Sequence, residues 1–493
     1  MSYKEEHERF ISGHNGTTVS EVAILTLTPC ASILILNAVS LLYHLQTMPF
    51  WSRVALEYSV MIIPMILHTT VLSNETTAVF VTMYAVAFVC CILCVKKAPP
   101  RSFRKTFSCL MQMEMRVQRP FLTNMRSLVN IGTAVVILGV DFAIFPRRFA
   151  KTETFGIGFM DNGVGCFVIT NAIVCPEARG KVGSCRSVSE GLQRLFKCVM
   201  SSIPLVILGL GRLVTVKGVD YHEHVSEYGI HWNFFFTLTA VKVVSTLLLC
   251  VCPVWLSSVL AAGLLTIYQH ALQTKGLSDF ILYGSDGTGQ RLNLLDANRE
   301  GICSCIGYIS IYLIGAQIGW FIFNRKKTKF CDWMRILCIL AGVSYIFYGA
   351  LHISSEYIQP ASRRMANLSF VLWIVALSTQ VLASCLLIDL LTTVLTVLSA
   401  VSNKKVEGVP GCEDDVLSDK EKKSDKLCLL HAVNFNGLLY FLMANLLTGF
   451  VNMSMKTIHA SSLMAVFTLS AYMFVLTVGI LYLHHKKVAT RFW

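Results

Sequence analysis

Residues 128–153, LVNIGTAVVILGVDFAIFPRRFAKTE, join an apolar run to a cluster of charged side chains. The cluster begins with the acid Asp141, continues with Arg147, Arg148 and Lys151, and ends with Glu153. A charge at the centre of a bilayer costs about 2.5 to 3.5 kcal/mol on insertion scales, so charges in or beside a span usually mark a functional site or a structural ion pair. The stretch therefore predicts a membrane-spanning helix that ends at a polar site.

The composition of the whole chain agrees with this interpretation. Hydrophobic residues make up 54% of the 493 residues and charged residues 14%, and the mean hydropathy is +0.60. These values exclude a soluble globular domain. The first twenty residues are too polar for a cleaved secretory signal, so we expect the first span to be retained as an anchor. We predict one all-α, polytopic integral membrane domain covering residues 1–493.

A helix needs about 20 predominantly apolar residues to cross a bilayer. By this criterion the sequence contains thirteen candidate spans. Their approximate bounds are 22–45, 54–72, 77–95, 128–145, 155–175, 198–216, 232–252, 254–272, 304–323, 335–353, 367–392, 436–454 and 461–484.

Lysine and arginine in the loops predict the orientation, because cytosolic loops carry an excess of both. Most of the 42 basic residues fall on one side if the N-terminus is luminal and the C-terminus cytosolic. Residues 401–430 then form a cytosolic polar loop, whose composition is typical of disorder. The net charge of +13 follows from this topology, so we expect a lipid bilayer and no nucleic acid as partner.

With this orientation, the unusual polar segments all fall on the non-cytosolic side. They lie in residues 141–153, 228–233, 298–301 and 362–367. Five arginines there need an anionic partner: Arg147, Arg148, Arg299, Arg363 and Arg364. The planar fork of arginine suits both phosphate and carboxylate. The partner is therefore either a phospholipid head group or one of the acids Asp141, Glu153, Asp161, Glu300 and Glu356.

Pro146 should end the fourth span just after Asp141 and leave its carboxylate in the last helical turn, at the polar end of the span. A carboxylate there could accept a proton from a bound substrate, so Asp141 is a candidate general base. Lys151 could meet it there, either as a catalytic partner or as a structural ion pair. Asp161 would lie about 9 Å into the fifth span, where a satisfied acid on a packing face is the alternative to a substrate contact. His231 is a candidate base or an interfacial anchor beside Trp232.

Several of these segments resemble the glucosaminyl-phosphatidylinositol inositol acyltransferase family of GPI-anchor biosynthesis. The resemblance extends over nearly the whole chain and is most specific in FPRRFAKTE at 145–153. Further similar segments are Met160-Asp161, Gly163-Val164-Gly165, YGIHWNFFF at 228–236, NREG at 298–301, SRRMAN at 362–367, Asn445, Thr448-Gly449 and Asn452.

The resemblance implies an enzyme of the endoplasmic reticulum membrane that moves a fatty acyl chain, typically palmitoyl, from acyl-CoA to an inositol hydroxyl of glucosaminyl-phosphatidylinositol. It implies catalytic roles for Asp141 and Lys151. Acyl-CoA would be a substrate, and we predict no bound cofactor and no metal. The residues predicted to bind substrate are Arg147, Arg148, Asp161, His231, Asn233, Asn298, Arg299, Arg363, Arg364 and Asn367. A lipid or solute transporter and a non-catalytic subunit of a membrane complex are the alternatives.

Overall fold

A computed structural model describes residues 12–43, 48–97, 119–219, 225–324, 329–400 and 428–488, with a few single residues before 12 and between 110 and 115. The predicted loop at 401–430 lies almost wholly outside the described residues. Within them, twelve helices are long and apolar enough to cross a membrane. They are α1 (Val19–Tyr43), α2 (Phe50–Thr69), α3 (Ser73–Lys97), α4 (Pro120–Gly139), α6 (Val188–Val214), α7 (Phe234–Val251), α8 (Val254–Thr274), α9 (Arg299–Phe323), α10 (Phe330–Tyr357), α11 (Leu368–Leu398), α12 (Gly437–Ser454) and α13 (Ser462–His485).

The prediction of a full membrane-spanning helix at 155–175 is wrong. The only helix longer than one turn in that stretch is α5 (Asn162–Ile173), with 12 residues, which at 1.5 Å per residue is about 18 Å long and shorter than the roughly 30 Å bilayer core. Beyond α5 the chain continues without regular helix to the opposite end of the long helices. There the Arg179 guanidinium lies 5.7 Å from the Phe323 ring centroid, and the Cys185 N–H donates to the Cys250 carbonyl at 2.9 Å.

The four predicted polar segments do converge at one end of the bundle, which we call the polar end. Backbone hydrogen bonds tie its loops together, from Gly156 N to Ala361 O at 2.8 Å and from Ile230 N to Ala297 O at 2.9 Å. The start of α1 is at this end, because Glu21 pairs with Arg148 at 3.1 Å. The end of α13 is at the opposite end.

Small residues allow the helices to pack closely around α5, α9 and α11 at the centre. A methyl group on Gly319 of α9 would lie 2.1 Å from the Ile173 carbonyl oxygen, and one on Gly165 would lie 2.7 Å from the Ile374 side chain. Such glycines let backbones approach closely in membrane bundles. Trp373 and Phe370 of α11 are completely buried in this core.

Helix α4 begins and ends earlier than predicted, which corrects the place of Asp141. The helix ends at Gly139. The Asp141 and Phe142 N–H groups donate to the carbonyls three residues earlier, those of Leu138 and Gly139, as in a turn. The cause is Phe145, which folds back into the core with no exposed surface and packs beside Gly139, where a Cβ would lie 3.2 Å from its ring. Asp141 therefore lies just beyond the helix, not in its last turn.

Candidate active site

The loop after α4 is held in place by Asp161, which precedes α5 and has no solvent exposure. Its carboxylate accepts hydrogen bonds from the Gly158 N–H at 2.8 Å and the Thr152 hydroxyl at 2.9 Å. The Arg363 Nε donates to it at 2.8 Å. Asp161 is thus a satisfied structural acid that positions Arg363, which is the alternative that the sequence left open.

Lys151 and Arg363 share a second acid, Glu227, from the short helix Val225–Tyr228. The Lys151 Nζ lies 2.6 Å from Glu227 Oε2 and an Arg363 nitrogen lies 3.6 Å from Oε1. Burial alone would raise the pKa of Glu227, but Lys151, Arg363 and Arg212 outweigh it and lower that pKa to about 2. Glu227 therefore remains a carboxylate at any physiological pH.

This ion cluster stands at one side of a cavity of about 230 Å³. Lys151, Glu227, Arg212 and Arg363 line its polar part. The remaining wall of the cavity is mostly apolar and comes from several helices. Its apolar residues include Leu25, Pro29, Met61, Met65, Met125, Leu128, Val136, Phe167, Phe234 and Phe441. The lining of α4 runs from Met125 to Ile137, which spans about 18 Å at 1.5 Å per residue. The cavity combines an apolar slot with a cationic rim.

Asp141 and Lys151 do not form the predicted pair. Asp141 is 5% exposed, and its Oδ2 accepts a hydrogen bond from Asn452 Nδ2 of α12 at 2.8 Å. Lys151 uses its ammonium group on Glu227 instead. Both residues belong to the polar end, on the same loop between α4 and α5, but Lys151 lines the cavity and Asp141 does not.

Arg147 and Arg148 bind the protein itself. Arg147 Nη2 donates to the carbonyls of Val140, Phe142 and Phe145 at 2.7 to 3.1 Å, so it replaces helical hydrogen bonds lost where α4 ends. Burial lowers the pKa of Arg147 to about 10 against the opposing effect of Asp141, so it stays charged. Arg148 ties the loop to Glu21 and to the Ser73 carbonyl.

Arg299 and Arg364 lie in a separate buried ion cluster with two acids. Arg299 Nη1 contacts Asp296 at 2.8 Å, and Arg364 Nη2 contacts Glu300 at 2.8 Å. Arg291 also reaches Glu300, at 2.7 Å. Of the five predicted arginines, Arg363 is therefore the one that lines the cavity.

The predicted asparagines also have structural partners. Asn233 caps α7 by accepting from the Phe235 and Phe236 N–H groups, Asn298 accepts from the His231 N–H at 2.8 Å, and Asn367 accepts from the Ser362 and Phe370 N–H groups. The His231 side chain is exposed and does not line the cavity.

Sequence reasoning did not place Glu227, His68 or Arg212 at the site. Glu227 stood one residue before a recognised segment, and His68 lies near the end of an apolar helix with no charged neighbour to signal it. Their position on the wall of the same cavity as Lys151 depends on tertiary packing of α2, α4 and the loop at 225–233. Within the described residues, no group of three or more His, Cys, Asp and Glu side chains is arranged to hold a metal ion.

Comparison with known proteins identifies the family. The GWT1 family model matches residues 3–483. The chain is 36% identical to "Glucosaminyl-phosphatidylinositol-acyltransferase PIGW" of Bos taurus and of Homo sapiens, covering all of each chain. It is 33% identical to "GPI-anchored wall transfer protein 1" of Gibberella zeae, over 97% of this chain and 96% of that one. This chain therefore belongs to the GWT1 family.

Proposed function

We propose that this protein is an acyltransferase that attaches a fatty acyl chain to the inositol of glucosaminyl-phosphatidylinositol in GPI-anchor biosynthesis. The observation that carries the proposal is the cavity, an apolar slot rimmed by Lys151, Arg363 and Arg212, in a chain that matches named acyltransferases over its full length. The slot suits a hydrocarbon chain, and the cationic rim suits the phosphate of a phosphoinositide.

We propose acyl-CoA as the donor, with palmitoyl as the typical chain. In the reaction an inositol oxygen attacks the thioester carbonyl carbon, the carbon–sulfur bond breaks, and the hydroxyl proton is transferred so that coenzyme A leaves as a thiol. Asp141 would accept the hydroxyl proton as general base. Lys151 would stabilise the negative charge that develops on the carbonyl oxygen. Arg363, held by Asp161 and Glu227, would orient the phosphate.

The proposed orientation places the polar end in the lumen of the endoplasmic reticulum and the end of α13 in the cytosol. Contacts within the fold support opposite sides for the start of α1 and the end of α13: Arg148 joins Glu21 at the polar end, and the Phe50 ring lies 6.3 Å from the His485 ring at the other end. With this orientation the donor's acyl chain must enter the slot between helices, because acyl-CoA is made in the cytosol.

The proposal is tested with purified, detergent-solubilised protein supplied with palmitoyl-CoA and glucosaminyl-phosphatidylinositol. Mass spectrometry should detect acylated inositol lipid with wild-type protein. Asp141→Asn, which keeps the shape of the side chain but not its basicity, should reduce the rate by a factor of about 10² to 10⁴, the usual contribution of a general base.

An Asp141→Asn protein with wild-type activity would rule out Asp141 as the base. Well-folded wild-type protein without any product would favour the two other classes. A transporter would move labelled lipid across vesicles without a donor, and a non-catalytic subunit would instead need a partner protein.

A further inference from the structure

His68 is a buried histidine of α2 to which neither the sequence nor the family match assigns a role. It is 2% exposed and lines the cavity beside Met65 and Thr69. Its Nε2 atom is buried and has no hydrogen-bond partner among the residues that the structure describes. Most buried polar side-chain atoms in proteins are paired, so an unpaired one at a binding cavity points to a partner that a ligand supplies.

The protonation state of the other ring nitrogen, Nδ1, defines what Nε2 can do. A neutral imidazole with its proton on Nδ1 carries a lone pair on Nε2. In this tautomer His68 presents a hydrogen-bond acceptor to the cavity that it lines.

An acceptor is unusual in this cavity, because the charged groups around it are mostly donors. Lys151, Arg212 and Arg363 donate only, and Glu227 is engaged by Lys151. The Asn162 amide nitrogen, also on the cavity wall, is a buried donor that has no partner in the described part of the chain. One unpaired acceptor and one unpaired donor together match hydroxyl groups, since each hydroxyl both donates and accepts.

We propose that His68 binds the acceptor substrate, and that its Nε2 accepts a hydrogen bond from a hydroxyl of a polyol head group, the inositol ring or the sugar attached to it. This inference rests on the proposed function and adds a substrate-binding residue to it. Glu21 of α1 is a charged neighbour of His68, and it is engaged by Arg148. His231, the histidine that the sequence suggested, is exposed at the same end and lies outside the cavity lining.

Two substitutions separate the acceptor from the volume of the side chain. His68→Phe fills the same space without an acceptor, and His68→Gln retains an acceptor oxygen. A matched control is His352→Phe, which replaces an exposed histidine of α10 outside the cavity. The readouts are kcat, the KM of each substrate, the affinity for glucosaminyl-phosphatidylinositol without donor, and the melting temperature.

For His68→Phe we expect the KM for glucosaminyl-phosphatidylinositol to rise about tenfold, the effect of one lost hydrogen bond, with the KM for palmitoyl-CoA unchanged. His68→Gln should recover most of the affinity, and His352→Phe should behave as wild type. Equal affinity of His68→Phe and wild type, a parallel rise of both KM values, or a glutamine variant as weak as the phenylalanine variant would overturn the proposal.

Failure of the proposed function would look different. In that case wild-type protein would form no acylated product, and the kinetic comparison would not arise. The binding measurement without donor would still be made with the wild type, His68→Phe and His68→Gln. An inactive wild type that binds the lipid through His68 would support the head-group contact alone, and equal binding by all three would refute it.

Discussion

Replacing Glu227 with glutamine tests the ion cluster at the rim of the cavity. Glu227 is the acid that Lys151 and Arg363 share, at 2.6 and 3.6 Å. Glutamine has nearly the same shape but no charge, so Glu227→Gln leaves two neighbouring cations without their common counter-ion. We expect Lys151 to leave its position, because its ion pair with Glu227 is what holds it there.

The magnitude follows from the pKa of Glu227. The surrounding cations overcome burial and lower this pKa from 4.5 to about 2, a difference worth about 3 kcal/mol at 1.36 kcal/mol per unit. A depressed carboxylate pKa stabilises the fold above its unfolded-state value and loses that effect as the pH falls towards the folded-state value. At pH 7 the whole contribution is present, so Glu227→Gln should destabilise the protein by up to about 3 kcal/mol.

The assay compares melting temperature and acyl transfer with those of a matched variant, Glu177→Gln. Glu177 forms a similarly buried pair with Arg194 at 2.5 Å, near the opposite end of the bundle. Both variants should melt below wild type at pH 7. Only Glu227→Gln should also lose transfer activity, by about a hundredfold, which is the cost of misplacing a catalytic group by roughly 1 Å.

A similar loss of activity in both variants would refute the reasoning, because the effect would then come from weakened folding. The double variant Glu227→Gln with Lys151→Gln gives a second test. If Glu227 acts through Lys151, the double variant should be no slower than Lys151→Gln alone. Fully additive losses would show that the two residues act independently.

Two further predictions concern the scaffold. Gly319→Ala should destabilise the protein by about 1 to 3 kcal/mol and so lower its melting temperature, because the new methyl would lie 2.1 Å from the Ile173 carbonyl oxygen. The control is Gly342→Ala on α10, where a methyl meets nothing within 4 Å. Equal melting temperatures of the two variants would contradict the close packing of α5 and α9. Asn233→Ala should lower the free energy of unfolding by about 1 kcal/mol through loss of the α7 cap, which thermal unfolding measures. Asn233→Ser should recover part of this loss. An alanine variant as stable as wild type would argue against the cap.

Much of the fold could be predicted because lipid imposes a simple rule. Long apolar runs had to become helices, so α7 and α8 were recognised as two spans although only Cys252 and Pro253 separate them. Convergence of the four polar loops was predicted from orientation alone. The fifth span was not recognised as a short helix, because apolar composition does not reveal that the stretch before Asn162 folds as a loop anchored by Asp161.

The candidate site was predicted less well, for a physical reason. Arginines beside a membrane signal that an anion is near but not which one, and Arg148, Arg299 and Arg364 each pair with an acid of the protein. The acids Glu21 and Asp296 were not among those considered. In a sequence, asparagines that cap a helix or a turn, such as Asn233 and Asn367, cannot be told apart from asparagines that bind a substrate. The distinction depends on which side chains border the cavity, and this is set by packing between distant segments.

The central claim is that the acyl chain being transferred lies in the cavity between α1, α2 and α4. A palmitoyl-CoA analogue with a photoreactive group on its acyl chain tests it directly, after irradiation with purified protein and peptide mapping by mass spectrometry. We predict labelling of cavity residues such as Met61, Met125 and Leu128, suppressed by excess palmitoyl-CoA. Labelling confined to outward-facing residues such as Phe88 and Phe467, or labelling that palmitoyl-CoA does not suppress, would contradict the claim.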